Sequence, residues 1–165
     1  MRNILFISTL CIFYGFVSKN NDKIEIRNMY YAAIISEEMA DTFFLKMKNT
    51  DESKPLELAY KGMSFMLQAK YAWSPYTKYS SFCAGRDYLE QALSRDSTNI
   101  EIRFLRFSIQ TNTPDFLDYN DQLSNDFLYI KNNWNILSDK DLKERIKDYM
   151  KKSDFVSESD KKYFK

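Results

Sequence analysis

Turn-forming residues are scarce in this chain, which contains three glycines and three prolines among its 165 residues. Sheets and irregular folds reverse direction often and depend on such residues at their turns. Apolar side chains instead recur every three or four residues along most of the sequence, and no segment alternates with a period of two. The sequence therefore predicts an all-α fold of antiparallel helical hairpins, stacked as a short solenoid or bundle of six to seven helices.

Residues 1–18 have the layout of a secretory signal peptide. Arg2 supplies a positive charge, residues 4–17 form an apolar run, and small residues such as Gly15 and Ser18 end it. The run is short for a membrane span, which needs about 20 residues. We expect residues 19–165 to be released as a single exported domain, periplasmic or secreted, without a membrane span. An uncleaved N-terminal anchor is the alternative.

Removal of residues 1–18 would balance the charges of the domain. One of the 24 basic residues, Arg2, would be lost, leaving 23 against 23 acidic residues. A net charge of zero argues against a general nucleic-acid-binding protein, which needs a basic surplus. Cys11 would also leave, so Cys83 would have no partner for an intramolecular disulfide. We expect Cys83 to be buried in a helix, with an intermolecular disulfide as the alternative.

The helical pattern divides the domain into seven segments. Gly62 and Ala69 lie within the second segment, which carries two apolar stripes and should therefore be internal, with these small residues as points of close contact. Ser53, Ser138 and Ser157 are the expected N-caps of three segments. We place helices at residues 24–48, 55–73, 77–95, 100–111 and 121–134, then after Ser138 and, briefly, after Ser157, and expect the fourth to be the most buried.

Residues 84–106 contain a small residue, a large one, an Ala-Leu pair and a turn asparagine at Gly85, Leu89, Ala92, Leu93 and Asn99. This order resembles the second helix of a tetratricopeptide repeat running into the first helix of the next repeat. The family's turn proline is absent, with Ser97 in its place, and the loop at residues 73–80 is longer than the family's tight turn. The resemblance implies a solenoid of about three hairpins.

The whole chain also resembles short secreted proteins of unknown function from flavobacteria, which carry a segment similar to residues 101–110. That second resemblance implies no activity. It therefore leaves the function to be argued from the residues themselves.

Few residues of this chain could support catalysis. Histidine is absent, which removes the usual general base and the commonest metal ligand. One cysteine in the exported domain rules out a thiolate metal cluster, and no glycine-rich phosphate loop occurs. A pair of carboxylates across a cleft, as in a glycosidase, is neither shown nor excluded. We therefore expect no cofactor and no metal site.

Two arginines stand out on the polar stripe of the fourth predicted helix. In one interpretation Arg103 and Arg106 pair with acids on neighbouring helices, such as Asp87, Glu90 or Asp126, and fix the helix register. In the other they line the concave face of the solenoid and hold a carboxylate of a partner, which a planar guanidinium binds well.

Aromatic residues cluster around the long loop between the second and third predicted helices. One interpretation is that they pack the loop against the core. The other is that they form a rim that grips a peptide or glycan, since Tyr and Trp are enriched at binding surfaces. These candidates are Tyr71, Trp73, Tyr76 and Tyr79.

The sequence as a whole favours a non-catalytic protein-interaction module exported to the bacterial envelope, with a protein or peptide partner. A structural subunit of an envelope complex is one alternative, and an exposed apolar patch would indicate it. A carboxylate-based hydrolase is another, and two facing acids with one raised pKa would indicate it.

Overall fold

The structure is a computed structural model that describes residues 22–165, so the predicted signal peptide lies outside the described residues. The described chain is helical and contains no strand, which confirms the predicted all-α fold. Two short 3-10 turns, Asp115–Leu117 and Trp134–Ile136, connect the later helices. The α-helices are α1 (22–35), α2 (Glu37–Lys48), α3 (Pro55–Tyr71), α4 (Pro75–Arg95), α5 (Ile100–Gln110), α6 (Leu123–Asn133), α7 (Lys140–Lys152) and α8 (Glu158–Lys161).

The single helix predicted at residues 24–48 is wrong, because the chain breaks there into α1 and α2. Ser36 adopts an extended backbone, with φ −142° and ψ 125°, and its hydroxyl accepts a hydrogen bond from the Met39 N–H. Glu37 and Glu38 follow in the first turn of α2, where carboxylates interact favourably with the helix dipole. A serine followed by two acids is typical of a helix start. This local signal outweighs the continuous apolar stripe, so a new helix begins after Ser36.

Two of the three predicted N-caps are also wrong by one residue. Lys54 precedes α3, and Pro55 supplies its first turn, where a missing N–H costs nothing. Asp139 caps α7 in place of Ser138, accepting a hydrogen bond from the Leu142 N–H at 3.1 Å. Asp and Ser cap helices about equally well. The tertiary contact of Asp139 therefore accounts for its capping α7 in place of Ser138. Ser157 caps α8 as predicted.

The α3–α4 hairpin is held together by a close backbone crossing. A Cβ atom on Gly62 would lie 2.7 Å from the carbonyl oxygen of Gly85, and one on Gly85 would lie 2.8 Å from that of Gly62. Both contacts are shorter than real Cβ atoms tolerate, and both involve backbone atoms. The crossing therefore requires glycine at both positions, which confirms Gly62 as a point of close contact.

Replacing Gly62 or Gly85 by alanine is expected to lower the free energy of unfolding by up to about 2 kcal/mol. The overpacking cost of roughly 1–3 kcal/mol exceeds the helix propensity of about 1 kcal/mol that alanine gains over glycine. Urea denaturation measures the change, with Gln91→Ala on the exposed side of α4 as the matched control. A stabilised Gly62→Ala protein would show that the helices can move apart at no cost.

Helix α5 joins the two halves of the core. Ile102 and Leu105 pack into an apolar cluster with α1 to α4, whereas Phe104 and Phe107 pack into a second cluster with α6, α7 and the C-terminal segment. Seven of its eleven residues are buried, as the sequence predicted for this helix. Cys83, predicted to be buried, is only partly buried beside a third, smaller cluster.

None of the helices at residues 22–165 is long and apolar enough to cross a membrane.

Candidate binding groove

A buried arginine ties the N-terminal helix to the rest of the fold. The side chain of Arg27 is 1% exposed, and its Nε and Nη2 donate to the two carboxylate oxygens of Glu101, each at 2.7 Å. Its Nη1 and Nη2 also donate to Asp139 and Asp141 at the start of α7. The Tyr60 hydroxyl completes the cluster by donating to Glu101 at 2.7 Å. One guanidinium thus joins α1, α5 and α7.

The two aspartates of this cluster are held in the charged form. Burial raises the pKa of Asp139, but hydrogen bonds from Arg27 and from the Leu142 N–H outweigh it, so the pKa lies below its ordinary value. The pKa of Asp141 is lowered in the same way, with Arg145 and Arg27 as the donors that outweigh burial. Both carboxylates therefore stabilise the fold only while they are ionised.

We expect the free energy of unfolding to fall as the pH drops below about 4.5, near the ordinary pKa of aspartate. The fall should continue toward the lower pKa values that Asp139 and Asp141 have in the folded protein. A lowered folded pKa means that the stabilisation is present above the unfolded value and lost below it. Urea midpoints between pH 7 and pH 3 measure the effect. Asp139→Asn, which keeps a capping oxygen, should weaken the pH dependence, whereas Asp148→Asn on the exposed side of α7 should leave it unchanged.

Arg103 and Arg106 lie in a second cluster of buried ion pairs. Asp126 is fully buried and accepts from Arg106 Nε at 2.7 Å and from Arg103 Nη1 at 2.8 Å. Arg106 is 7% exposed and also donates to Glu90, which accepts a further hydrogen bond from the Tyr119 hydroxyl. Of the acids proposed as partners, Glu90 and Asp126 make these contacts.

Asp87, the third acid proposed as a partner, binds Arg86 instead. Arg103 is less buried, and its guanidinium lies 4.2 Å from the Tyr129 ring and donates to the Ser97 carbonyl. Both arginines thus join α5 to α6, with two hydrogen bonds from Arg103 and three from Arg106.

Three cavities adjoin one another along one face of the helical stack, and together we call them the groove. The first cavity, of about 550 Å³, lies beside α7, the middle one, of about 580 Å³, beside α1, and the third, of about 450 Å³, beside α4. Tyr31 and Tyr149 line both the first and the middle cavity, Met66 and Ile109 line both the middle and the third, and Asn112 lines all three. The three cavities therefore lie side by side and share residues of their walls.

The walls of the middle and third cavities are mainly apolar and aromatic, whereas most residues that line the first cavity are polar or charged. Burial raises the pKa of Tyr31 to about 12 and also raises that of Tyr149, so both present neutral hydroxyls. The charged side chains along the lining are Lys70, Lys78 and Lys152, Asp148 and Asp154, and Arg145, which is paired with Asp141. The groove therefore suits an apolar ligand with some negative charge.

The four aromatic candidates separate into two groups. Tyr71 is partly buried, and its hydroxyl donates to the Ile34 carbonyl at 2.8 Å, so it fastens α3 to the end of α1. Trp73, Tyr76 and Tyr79 are 97%, 82% and 60% exposed. Tyr79 lines the third cavity. The structure thus places Tyr71 in the packing and the other three rings at the surface.

Sequence reasoning missed Arg27 and Glu101. Both carried a signal, because each lies on an otherwise apolar helix stripe: Arg27 is three residues from Tyr30, and Glu101 is four residues from Leu105. A charged residue on such a stripe must be paired when it is buried. Arg27 and Glu101 have opposite charges, so each was a candidate ion-pair partner for the other.

No protein-family model matches the chain, and no curated protein or solved structure shows significant similarity to it. The resemblance to tetratricopeptide repeats therefore stays a prediction. Within residues 22–165, no group of three or more Cys, Asp or Glu side chains is arranged to hold a metal ion.

Proposed function

We propose that this protein is a non-catalytic interaction module whose groove binds an apolar, acidic segment of a partner protein. The observation that carries the proposal is the adjacency of three cavities with shared wall residues, beside α7, α1 and α4. Cavities of about 550, 580 and 450 Å³ have room for several side chains of one segment. Concave, mostly apolar sites with a few polar groups are the usual form of binding sites in proteins.

The charges of the residues that line the groove indicate which partner segments it would bind. Lys70 and Lys78 lie beside the third cavity, where no acid is among the lining residues. Lys152 lies at the opposite end of the groove, beside two aspartates. An acidic residue near one end of the bound segment would meet the two lysines of α3 and α4.

The carboxylate-based hydrolase is less well supported by the geometry. A general acid needs a carboxyl group with a raised pKa. Among the described residues, the carboxyl groups with shifted pKa values all have lowered ones: Asp51, Glu57, Asp139, Asp141 and Asp160. A structural subunit of a larger envelope complex is the second candidate, supported by the exposed apolar side chains at one end of the fold.

The proposed site of action is the bacterial envelope, and it depends on the signal peptide inferred from residues 1–18. The intact mass of the protein isolated from its host tests this. Loss of residues 1 to about 18 supports export. A full-length product in the cytosol would overturn it.

Site-specific photocrosslinking in the host tests the groove. A benzophenone side chain placed at Asn112, which is exposed and lines all three cavities, should capture the partner. The matched control carries the same label at Leu128, which is 51% exposed on α6 and does not line the groove. Mass spectrometry of the adduct should show an apolar segment that contains an acid. Equal capture from both positions would overturn the proposal.

A further inference from the structure

The large apolar side chains that are most exposed lie at one end of the helical stack. Among the described residues the four highest exposures are those of Trp73, Ile35, Phe116 and Tyr76, at 97%, 86%, 83% and 82%. They come from three separate places in the chain: the end of α1, the α3–α4 connection with the first turn of α4, and the first 3-10 turn. We call these four residues the aromatic end.

Contacts between the three places show that they are neighbours. The Tyr71 hydroxyl and the Lys70 ammonium both donate to the Ile34 carbonyl, which puts the end of α1 beside the end of α3. Phe116 lines the third cavity together with Pro75, which directly precedes Tyr76 in the first turn of α4. The aromatic end is therefore a broad surface assembled from three elements and does not follow one helix.

The charge beside the aromatic end is positive on α3 and α4. Residues 58–86 contain no acid, and within them Lys70 and Lys78 flank Trp73 and Tyr76. The nearest acids lie on the flanking elements: Glu37 and Glu38 follow Ile35, and Asp115 precedes Phe116.

We propose that the aromatic end docks on the surface of an anionic phospholipid bilayer. Trp and Tyr rings are amphipathic and sit at the level of lipid headgroups, where exposed lysines meet anionic lipids. The rings protrude from three elements, which suits a flat and deformable surface. Trp73 and Tyr76 do not line the groove, whereas Ile35 and Phe116 lie at its edge, so the proposed lipid contact extends beyond the site proposed for a partner protein and adjoins it.

The two tryptophans of the chain provide a local readout. Trp73 is 97% exposed, whereas Trp134 is 3% exposed within the core. In a Trp134→Phe background, emission comes from Trp73 alone. The protein is isolated from its host in the form the host produces and mixed with vesicles of phosphatidylcholine, or of phosphatidylcholine with 30% phosphatidylglycerol. Because the readout is at Trp73, lipid contacts made by residues 1–21 do not produce it.

On the anionic vesicles we expect a blue shift of Trp73 emission and quenching by brominated acyl chains. Tyr76→Ser and Phe116→Ser should each raise the lipid concentration at half-maximal shift by about tenfold, since each removes one ring from the contact. Lys70→Gln and Lys78→Gln should each raise it by about fivefold. Ile136→Ser, which removes a 77% exposed side chain on the α6–α7 connection, should leave it unchanged.

Three results would overturn the proposal. The first is emission that stays at its solvent wavelength on anionic vesicles at millimolar lipid. The second is an equal shift on vesicles of phosphatidylcholine alone. The third is an unchanged lipid dependence of the Trp73 shift in every aromatic and lysine variant, relative to the protein that carries Trp134→Phe alone. A Trp73 shift produced by a crosslinked partner but by no vesicle would assign the aromatic end to protein binding. None of these results depends on whether Asn112 captures a partner.

Discussion

Replacing Arg27 by methionine is expected to lower the free energy of unfolding by about 3–5 kcal/mol, because it leaves a buried carboxylate without its cation. Glu101 is 3% exposed and would keep only the hydrogen bond from Tyr60. Asp139 and Asp141 would lose the donor that joins α7 to α1. For a domain of this size the melting temperature should fall by roughly 10 °C.

Urea denaturation at pH 7 measures the change, and Arg145→Met is the matched control. Arg145 pairs with Asp141 at the edge of the same cluster, but its side chain is 17% exposed, and water can replace it at the Asp141 carboxylate. Arg145 also donates to Asn28, so its removal should cost about 1–3 kcal/mol, less than the removal of Arg27. Arg27→Lys should be intermediate, because an ammonium cannot make the paired hydrogen bonds to Glu101.

A double variant tests whether the loss comes from the unpaired charge. In Arg27→Met with Glu101→Gln, the side chain left behind is neutral, so part of the stability should return. If the double variant is as unstable as the sum of the two single variants, Arg27 acts through packing and the ion-pair account is wrong. A loss below about 1 kcal/mol in Arg27→Met would contradict it directly.

Much of the fold could be predicted from the chain because helices depend on local information. The spacing of apolar residues places most of the helices, and Pro55 and Pro75 stand in first turns as their fixed φ favours. The break at Ser36 was missed because the apolar stripe continues through it, so that periodicity alone cannot separate one helix from two. The capping serine and the two acids after it carried the missing information.

The candidate site was less predictable because it depends on how the helices cross. Arg103 and Arg106 could be named from their polar stripe, and the acids they bind could be narrowed to three. The groove could not be predicted, since Tyr31, Met66 and Asn112 come together only when α1, α3 and the end of α5 have been placed. Long-range pairs such as Arg27 with Glu101, 74 residues apart, are decided at the same level.

Removal of the Asp126 charge should destabilise the fold about as strongly as removal of the Arg27 charge. Asp126→Asn keeps the size of the side chain but withdraws the anion that Arg106 binds through two nitrogens and Arg103 through one. Arg106 is 7% exposed and would keep only Glu90 as an anionic partner. Leaving such a cation largely unpaired costs about 3–5 kcal/mol.

The comparison with Glu90→Gln separates burial from pairing in this cluster. Both acids bind Arg106, but the side chain of Glu90 is 41% exposed and that of Asp126 is fully buried. Loss of the Glu90 charge should therefore cost about 1 kcal/mol or less, as for a surface pair. Urea midpoints of the two variants should differ accordingly. If they are equal, the buried position of Asp126 adds nothing, and the join between α5 and α6 depends on the apolar contacts of Phe107 with Phe127.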